Sequence, residues 1–564
     1  MDHPAYGLEP FQRLLITVPL LARIPRSTHS NFMVNTFLGI LETEPTLQFE
    51  YLPLTLSILI LGNPAIYELL DCSELVYAIL HRSESDVVRL LMSNPSLLHD
   101  RDCSKQTPLH FATNWPKGLS LLIEHGGESI QSIINCRNHS SGLTALDFAI
   151  MIGEVNSVGL LLDAGASIHS SVFISIRWAS NRCSEGVEQI TQIVVESLAR
   201  QRRDLLQLAL QYLPTEDIVK LELEEGKLLD DEAFVVTEAL RRQGIPIPAA
   251  YDFLVPVSIY HWGALDHSIA QKLYDAGFYK LDEKLGGCTP LMTHYPICLE
   301  DWLQLISWFK NHGADFHALV LMDYNTFHAK NTLEGNTSSK INESRSTTAI
   351  HCLMQTLSRE VKWCMRYRQD FHTMDVAATQ PISSSLFGDR TTDSCICYCM
   401  SNGCTPSSKY LQIILKDKFC DEETSGTYRY VFGALQLAET VIPDDIKLQV
   451  WLEYIHLITF ARLGMKHTCC RFGLAYPRVS DDMIHFLDLT EIEEIREEDR
   501  YLAERLEVLT KEFGEKFREL NVSFTQFVGD YLWPKLDEIE KERDELTPEE
   551  SRALRETGVI LDEL

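Results

Sequence analysis

The side chains best suited to chemistry are six cysteines and one histidine in two short segments of the chain. Thiolate and imidazole groups in a reducing compartment suit zinc best, and four of them complete its tetrahedral coordination. The sequence therefore predicts a possible zinc site of the structural type. Its candidate ligands are Cys395, Cys397, Cys399, Cys404, His467, Cys469 and Cys470.

The spacing of these ligands leaves other interpretations open. The first three cysteines alternate along the chain, so on an extended strand they would share one face. Asn402-Gly403 indicates a turn that brings Cys404 back toward them. This spacing departs from standard zinc-finger patterns, and buried uncoordinated thiols or redox-sensitive thiols fit the same residues. Fifteen cysteines among 564 residues are too sparse for a disulfide scaffold.

Helical elements are predicted from a repeated phrase that lies earlier in the chain, whereas the segment 393–406 breaks from this pattern. Thr107-Pro108-Leu109-His110 leads into a Leu-Leu-Ile run and Gly126, and a second copy begins 37 residues later at Thr144. Threonine is suited to cap a helix and proline to follow at the first helical position, while a glycine ends the second helix. Each copy therefore predicts a pair of short helices.

This phrase resembles the ankyrin repeat, whose signature is Thr-Pro-Leu-His-x-Ala, and the resemblance implies a structural role for His110. The spacing of the later cysteines is similar to that in ankyrin proteins of filamentous fungi that carry a C-terminal cysteine-rich module. The resemblance implies a mostly α fold, an imperfect ankyrin solenoid with a helical N-terminal cap and a C-terminal helical module. It also implies that both cysteine segments belong to one module, and it implies no activity.

Weaker copies extend the pattern. Thr289-Pro290 opens a good copy and Thr348-Ala349-Ile350-His351 opens a partial one, whereas the pattern fades between 170 and 285. We predict five segments in chain order. They are an N-terminal helical cap (1–70), ankyrin-like repeats (71–325, clear at 71–170 and 285–320), a loop-rich linker with a partial repeat at 347–368 (326–394), a cysteine-bearing module (395–487) and an acidic helical tail (488–564).

The charge balance disfavours nucleic acid as a partner. The net charge is −30, from 80 acidic and 50 basic residues, whereas phosphate binding needs a basic face. The nearest basic run, Arg200–Arg203, is interpreted as a solvated helix end. The tail at 488–564 holds 24 acidic and 11 basic residues, and its apolar stripe predicts a helical hairpin that packs on the body of the chain.

The sequence predicts a protein-interaction scaffold without catalytic residues. We find no phosphate-binding loop, serine-nucleophile elbow, kinase signature or His-Glu-x-x-His motif. A protein partner is expected on the repeat surface around 102–106 and 139–143, with no membrane association. The alternative function is an enzyme or a redox or metal sensor whose Cys/His module is active and whose repeats recruit substrate. The absence of a secretory signal predicts an intracellular protein, cytoplasmic in preference to nuclear.

Overall fold

The computed structural model describes 73–102, 105–139, 141–181, 186–251, 257–285, 287–294, 299–320, 347–367, 376–394, 397–400, 402–415, 426–465, 467 and 489–544. The chain divides into two compact units, Met1–Tyr279 and Lys280–Leu564. The predicted N-terminal cap and the end of the acidic tail lie outside the described residues. Within the described ranges, no helix combines the length and apolar character that crossing a bilayer requires.

The first unit is built from helices stacked in two layers. They are α1 (Glu74–Leu80), α2 (Glu84–Ser93), α3 (Pro108–Ala112), α4 (Pro116–Gly126), α5 (Ser129–Ile133), α6 (Ala145–Met151), α7 (Val155–Asp163), α8 (Ser170–Asn181), α9 (Val187–Tyr212), α10 (Thr215–Lys220), α11 (Glu232–Arg242) and α12 (His267–Ala276). Helices α1, α3, α6 and α8 pack in series as one layer, and α2, α4, α7 and α9 pack as the other. The predicted helix pairs are therefore confirmed.

Local sequence explains where these helices begin. The Ser73 and Ser83 side chains accept hydrogen bonds from the first turns of α1 and α2. Thr144 and Asp147 form a reciprocal capping box at the start of α6. These side chains supply partners for backbone groups that a helix end leaves unsatisfied.

The faded region continues the stack instead of ending it. Helix α8 packs on α6, and the 26-residue α9 continues the outer layer and packs on α11 and α12. The interpretation of Arg200–Arg203 as a solvated helix end is wrong in part. Arg202 is buried in the middle of α9, where its guanidinium donates to the carbonyl of Asp230.

The second unit repeats the same two-layer arrangement. Its helices are α13 (Pro290–Thr293), α14 (Leu299–Asn311), α15 (Ala349–Tyr367), α16 (Val376–Gly388), α17 (Pro406–Leu415), α18 (Gly426–Val441), α19 (Lys447–Arg462), α20 (Leu489–Glu498), α21 (Arg500–Leu520), α22 (Phe524–Phe527) and α23 (Trp533–Asp544). One layer runs α13, α15, α17, α19, α21, and the other runs α14, α16, α18, α22. Strands β1 (Leu319–Val320) and β2 (Thr347–Thr348) pair antiparallel ahead of α15.

The acidic tail packs as the hairpin that its apolar stripe predicts. Leu506, Phe513 and Phe517 are buried, and α21 packs against α19. The ring of Phe524 in α22 stacks on Trp451 of α19 with ring centroids 4.4 Å apart. This stripe therefore belongs to the core of the second unit, which leaves the charged face of α21 outward.

Candidate functional site

The segments that join one helix pair to the next carry the candidate binding residues, and we call them fingers. In the finger before α3, the backbone N–H of Asp102 donates to the carbonyl of Gln106, and the Gln106 N–H returns a bond of 2.6 Å to the Asp102 carboxylate. Asn138 and Leu143 make the same two bonds before α6, at 2.9 Å each. An acidic or amide side chain thus closes the base of each of these two fingers.

His110 links neighbouring repeats. Its Nδ1 accepts from the backbone N–H of Thr107 at 3.1 Å, and its Nε2 lies 3.3 Å from the carbonyl of Leu143. Because a carbonyl only accepts, these contacts require the neutral imidazole with its proton on Nε2. Burial lowers the pKa of His110 to about 4, which keeps the ring neutral. The predicted structural role of His110 is confirmed.

The same bonds recur in the second unit around the cysteines. The backbone N–H of Asp393 donates to the carbonyl of Cys404 at 3.0 Å, and the Cys404 N–H donates to the Asp393 carboxylate at 2.7 Å. His351 accepts at Nδ1 from the Thr348 hydroxyl and reaches the Cys404 carbonyl at 2.8 Å through Nε2. The cysteine segment is therefore an enlarged finger, with ten residues (394–403) between its closing pair where the finger at 103–105 has three.

Three of the predicted ligands come together where this finger meets the segment after α19. The donor atoms of Cys397, Cys399 and His467 all lie within 4.8 Å of one another. Both cysteines are buried, and His467, which follows α19, is half-buried. The Sγ atom of Cys404 lies 3.7 Å from that of Cys399. We call these four residues the Cys/His cluster.

Hydrogen-bond donors point at the sulfur atoms of this cluster. The side-chain amide of Gln412 on α17 donates to the sulfur of Cys404 at 3.1 Å and to that of Cys399 at 3.6 Å. The backbone N–H of Cys399 lies 3.5 Å from the sulfur of Cys397. Such donors favour a sulfur that carries negative charge.

The backbone conformation of the cysteine segment differs from the predicted extended strand. The alternating cysteines were expected on an extended strand, but 397–399 forms a turn in which Met400 donates back to the carbonyl of Cys397. The closed base at Asp393 and Cys404 makes the chain fold back within ten residues. The predicted turn at Asn402-Gly403 is present, with Gly403 at φ +90°.

Part of this site was predictable from its residue types. Cys395, Cys469 and Cys470 lie outside the described residues, so their predicted role stays a prediction. The sequence does not predict a role for Gln412. It also does not predict one for His456, whose Nε2 donates to the Tyr398 carbonyl at 2.9 Å. The buried ion pair between Lys409 and Asp393 was not predicted either. Thr405-Pro406, which repeats the helix-opening phrase directly after Cys404, is the signal that could have revealed them.

Gly403 is expected to be intolerant of substitution. A Cβ at this position would overlap the backbone oxygen of Asp393, and its positive φ already disfavours an L side chain. We expect Gly403→Ala to destabilise the second unit by about 2–3 kcal/mol. The measurement is chemical denaturation followed by hydrogen exchange of peptides from that unit.

The matched control is Gly142→Ala in the finger before α6. Gly142 also has a positive φ, of +68°, but nothing lies within 4 Å of its Cβ position. This variant should show only the backbone penalty of about 1–2 kcal/mol. Equal losses for the two alanine variants would contradict the steric argument.

Two fingers of the first unit carry the exposed basic residues Arg101, Lys105 and Arg137, which we call the basic edge. His139 is exposed beside them. This edge stands out because the whole chain carries a net charge of −30. Exposed basic side chains of this kind can pair with negatively charged groups on a partner.

Comparison with known proteins bears on the first unit. No curated protein matches the chain. The family model for ankyrin repeats matches residues 75–171. This range covers the helix pairs from α1 to the start of α8 and includes the two fingers closed by Asp102 and Asn138. The part of the chain at 75–171 therefore consists of ankyrin repeats, in three copies.

Proposed function

We propose that the protein is a non-catalytic scaffold that binds an acidic segment of a partner protein along the finger edge of its first unit. The observation that carries this proposal is the basic edge formed by Arg101, Lys105 and Arg137 on ankyrin repeats. Ankyrin repeats generally act as protein-interaction modules, and stacked repeats present extended binding surfaces.

The rigidity of the finger bases supports this proposal. Each base is closed by two hydrogen bonds, and His110 ties one repeat to the next. A binding surface whose backbone is already ordered loses less conformational entropy when a partner binds. Arg101, Lys105 and Arg137 therefore lie beside finger bases whose backbone is held by hydrogen bonds.

Selection of peptides from a displayed library by the full-length protein tests this function. We expect the selected peptides to be rich in Asp and Glu, with binding that weakens as salt rises because exposed charges are screened beyond about 8 Å at 0.15 M. The triple variant Arg101→Glu/Lys105→Glu/Arg137→Glu should bind such a peptide at least ~10-fold more weakly by fluorescence anisotropy.

The control variant changes the net charge by the same amount on the outer layer. Arg89, Lys117 and Arg203 are exposed on α2, α4 and α9, so we replace all three by glutamate. This variant should retain most of the affinity. An equal loss in the two triple variants would show attraction to the net charge alone. Selection of neutral peptides, or tighter binding of nucleic acid than of acidic peptide, would contradict the proposed partner.

A further inference from the structure

Three residues of the Cys/His cluster, Cys397, Cys399 and His467, have donor atoms close enough together for one metal ion, and Cys404 lies beside Cys399. Two thiolates bound to one zinc at ~2.3 Å in tetrahedral geometry lie about 3.8 Å apart, and a thiolate and an imidazole nitrogen lie about 3.6 Å apart. The sulfur atoms of Cys399 and Cys404 are 3.7 Å apart. The donor atoms of Cys397, Cys399 and His467 lie mutually within 4.8 Å, so small side-chain shifts bring them to these separations.

The separation of the sulfur atoms excludes a disulfide in this conformation. A disulfide bond is about 2.05 Å long, whereas the sulfurs of Cys399 and Cys404 are 3.7 Å apart. Both side chains are reduced thiols or thiolates that lie against each other in a buried place. Two adjacent buried thiolates repel each other unless a cation lies between them.

The N–H donors around the cluster indicate which form of the sulfur the site favours. Gln412 donates to two of the sulfur atoms, and the Cys399 backbone donates to a third. Donors of this kind stabilise a thiolate and orient metal ligands from the surrounding shell.

We propose that Cys397, Cys399 and His467 bind one zinc ion as a structural site. Cys404 supplies the fourth ligand after its thiolate moves from Cys399 toward the other two. Three thiolates and one imidazole are a ligand set of structural zinc, and a closed site of four protein ligands leaves no open position for substrate.

The metal would fix the enlarged finger to the end of α19. The finger already contacts this part of the unit, because His456 of α19 holds the carbonyl of Tyr398 and Arg496 of α20 lies over the Tyr398 ring at 5.0 Å. Cys397 and Cys399 flank Tyr398, and His467 follows α19. One zinc ion thus joins two segments that are more than 60 residues apart in the sequence (467 − 399 = 68).

Metal analysis of the full-length chain tests the proposal. The protein is purified under reducing conditions without chelator, and zinc per chain is measured by mass spectrometry. We expect about one zinc per chain in the natural sequence and in Cys352→Ser, which removes a buried cysteine of the same unit outside the cluster. Cys397→Ser, Cys399→Ser and Cys404→Ser should each lose most of the zinc.

Cobalt substitution keeps the test decisive if the serine variants fail to fold. Zinc is removed from the natural chain by a chelator, and cobalt(II) is added in steps. One equivalent should produce the strong visible absorption and sulfur-to-cobalt charge transfer of a tetrahedral thiolate site. His467→Cys should retain the site with stronger charge transfer, and Gln412→Leu should weaken metal affinity about 10–100-fold.

Several results would overturn the proposal. A natural chain without zinc that also gives no tetrahedral cobalt spectrum would show that the cluster is a group of packed thiols. Zinc that persists in Cys399→Ser but is lost in Cys352→Ser would place the metal elsewhere. Full zinc occupancy with unchanged affinity in Cys404→Ser would remove Cys404 from the site. None of these results depends on partner binding by the first unit.

Discussion

Replacing Asp393 by alanine is expected to lower the free energy of unfolding of the second unit by about 3–5 kcal/mol. The Asp393 carboxylate lies 2.8 Å from the Lys409 ammonium, and both side chains are buried, at 7% and 2% exposure. Removal of the carboxylate leaves an ammonium group in a place without water. It also removes the acceptor for the Cys404 N–H, so the base of the cysteine finger loses one of its two bonds.

Two further variants separate these contributions. Asp393→Asn keeps an oxygen acceptor for the Cys404 N–H but removes the charge, so it should lose less than the alanine variant. The double variant Asp393→Asn/Lys409→Met removes both charges and should recover a substantial part of the loss, because it leaves no buried unpaired ion. The measurement is guanidinium denaturation with a chelator present, so that metal binding contributes nothing. Equal losses in the alanine and double variants would contradict an ion-pair origin.

Acidification is expected to destabilise the first unit through His110. Its pKa is lowered to about 4 in the folded protein, with burial as the largest cause, and lies near 6.5 in the unfolded chain. The folded state therefore binds the proton less well. The contribution to stability is complete above pH 6.5 and is lost as the pH falls through about 4. The full difference corresponds to about 3 kcal/mol.

The comparison with His110→Gln isolates this effect. Glutamine keeps a donor for the Leu143 carbonyl and an acceptor for the Thr107 N–H but does not titrate in this range. Its unfolding free energy should therefore fall less between pH 7 and pH 4 than that of the natural chain. Parallel pH profiles for the two proteins would show that His110 does not carry the acid sensitivity.

Asp147 must be considered in the same experiment because it titrates in the opposite sense. Burial raises its pKa, although Thr144, Ser171 and Ser175 donate hydrogen bonds to its carboxylate. A raised carboxyl pKa means that the folded state binds the proton more readily, so this group adds stability as the pH falls through its folded pKa. Asp147 is present in both proteins, and the difference between their profiles removes its contribution.

The helix pairs were predictable where the opening phrase survives and where the repeat period is short. The openings at Thr107 and Thr144 are 37 residues apart, and both predict helices that the structure contains. The opening at Thr405 lies 57 residues after Thr348 (405 − 348), so no regular period indicates it. Closing a longer loop costs only about 0.6 kcal/mol for each doubling of its length, and a stack therefore tolerates insertions that hide the period.

The candidate site was predictable in its chemistry but not in its geometry. Residue type alone identified the cysteines and His467 as possible ligands. Their convergence depends on the Asp393 closure and on the end of α19, which are tertiary features. Gln412 was not predictable, because a glutamine on a helix is ordinarily a solvated residue and only the packing of α17 directs its amide at two sulfur atoms.

The closed finger base also has a consequence for how such a protein changes over evolution. Each closed base has one backbone–backbone hydrogen bond and one bond from a backbone N–H to the side chain of an Asp or Asn, whether three residues or ten lie between the two closing residues. The length or sequence of a finger can therefore change during evolution while the packed residues of the helices beneath it stay the same. A protein engineer could use the same property by grafting a foreign loop between Asn138 and Leu143 while leaving both residues in place.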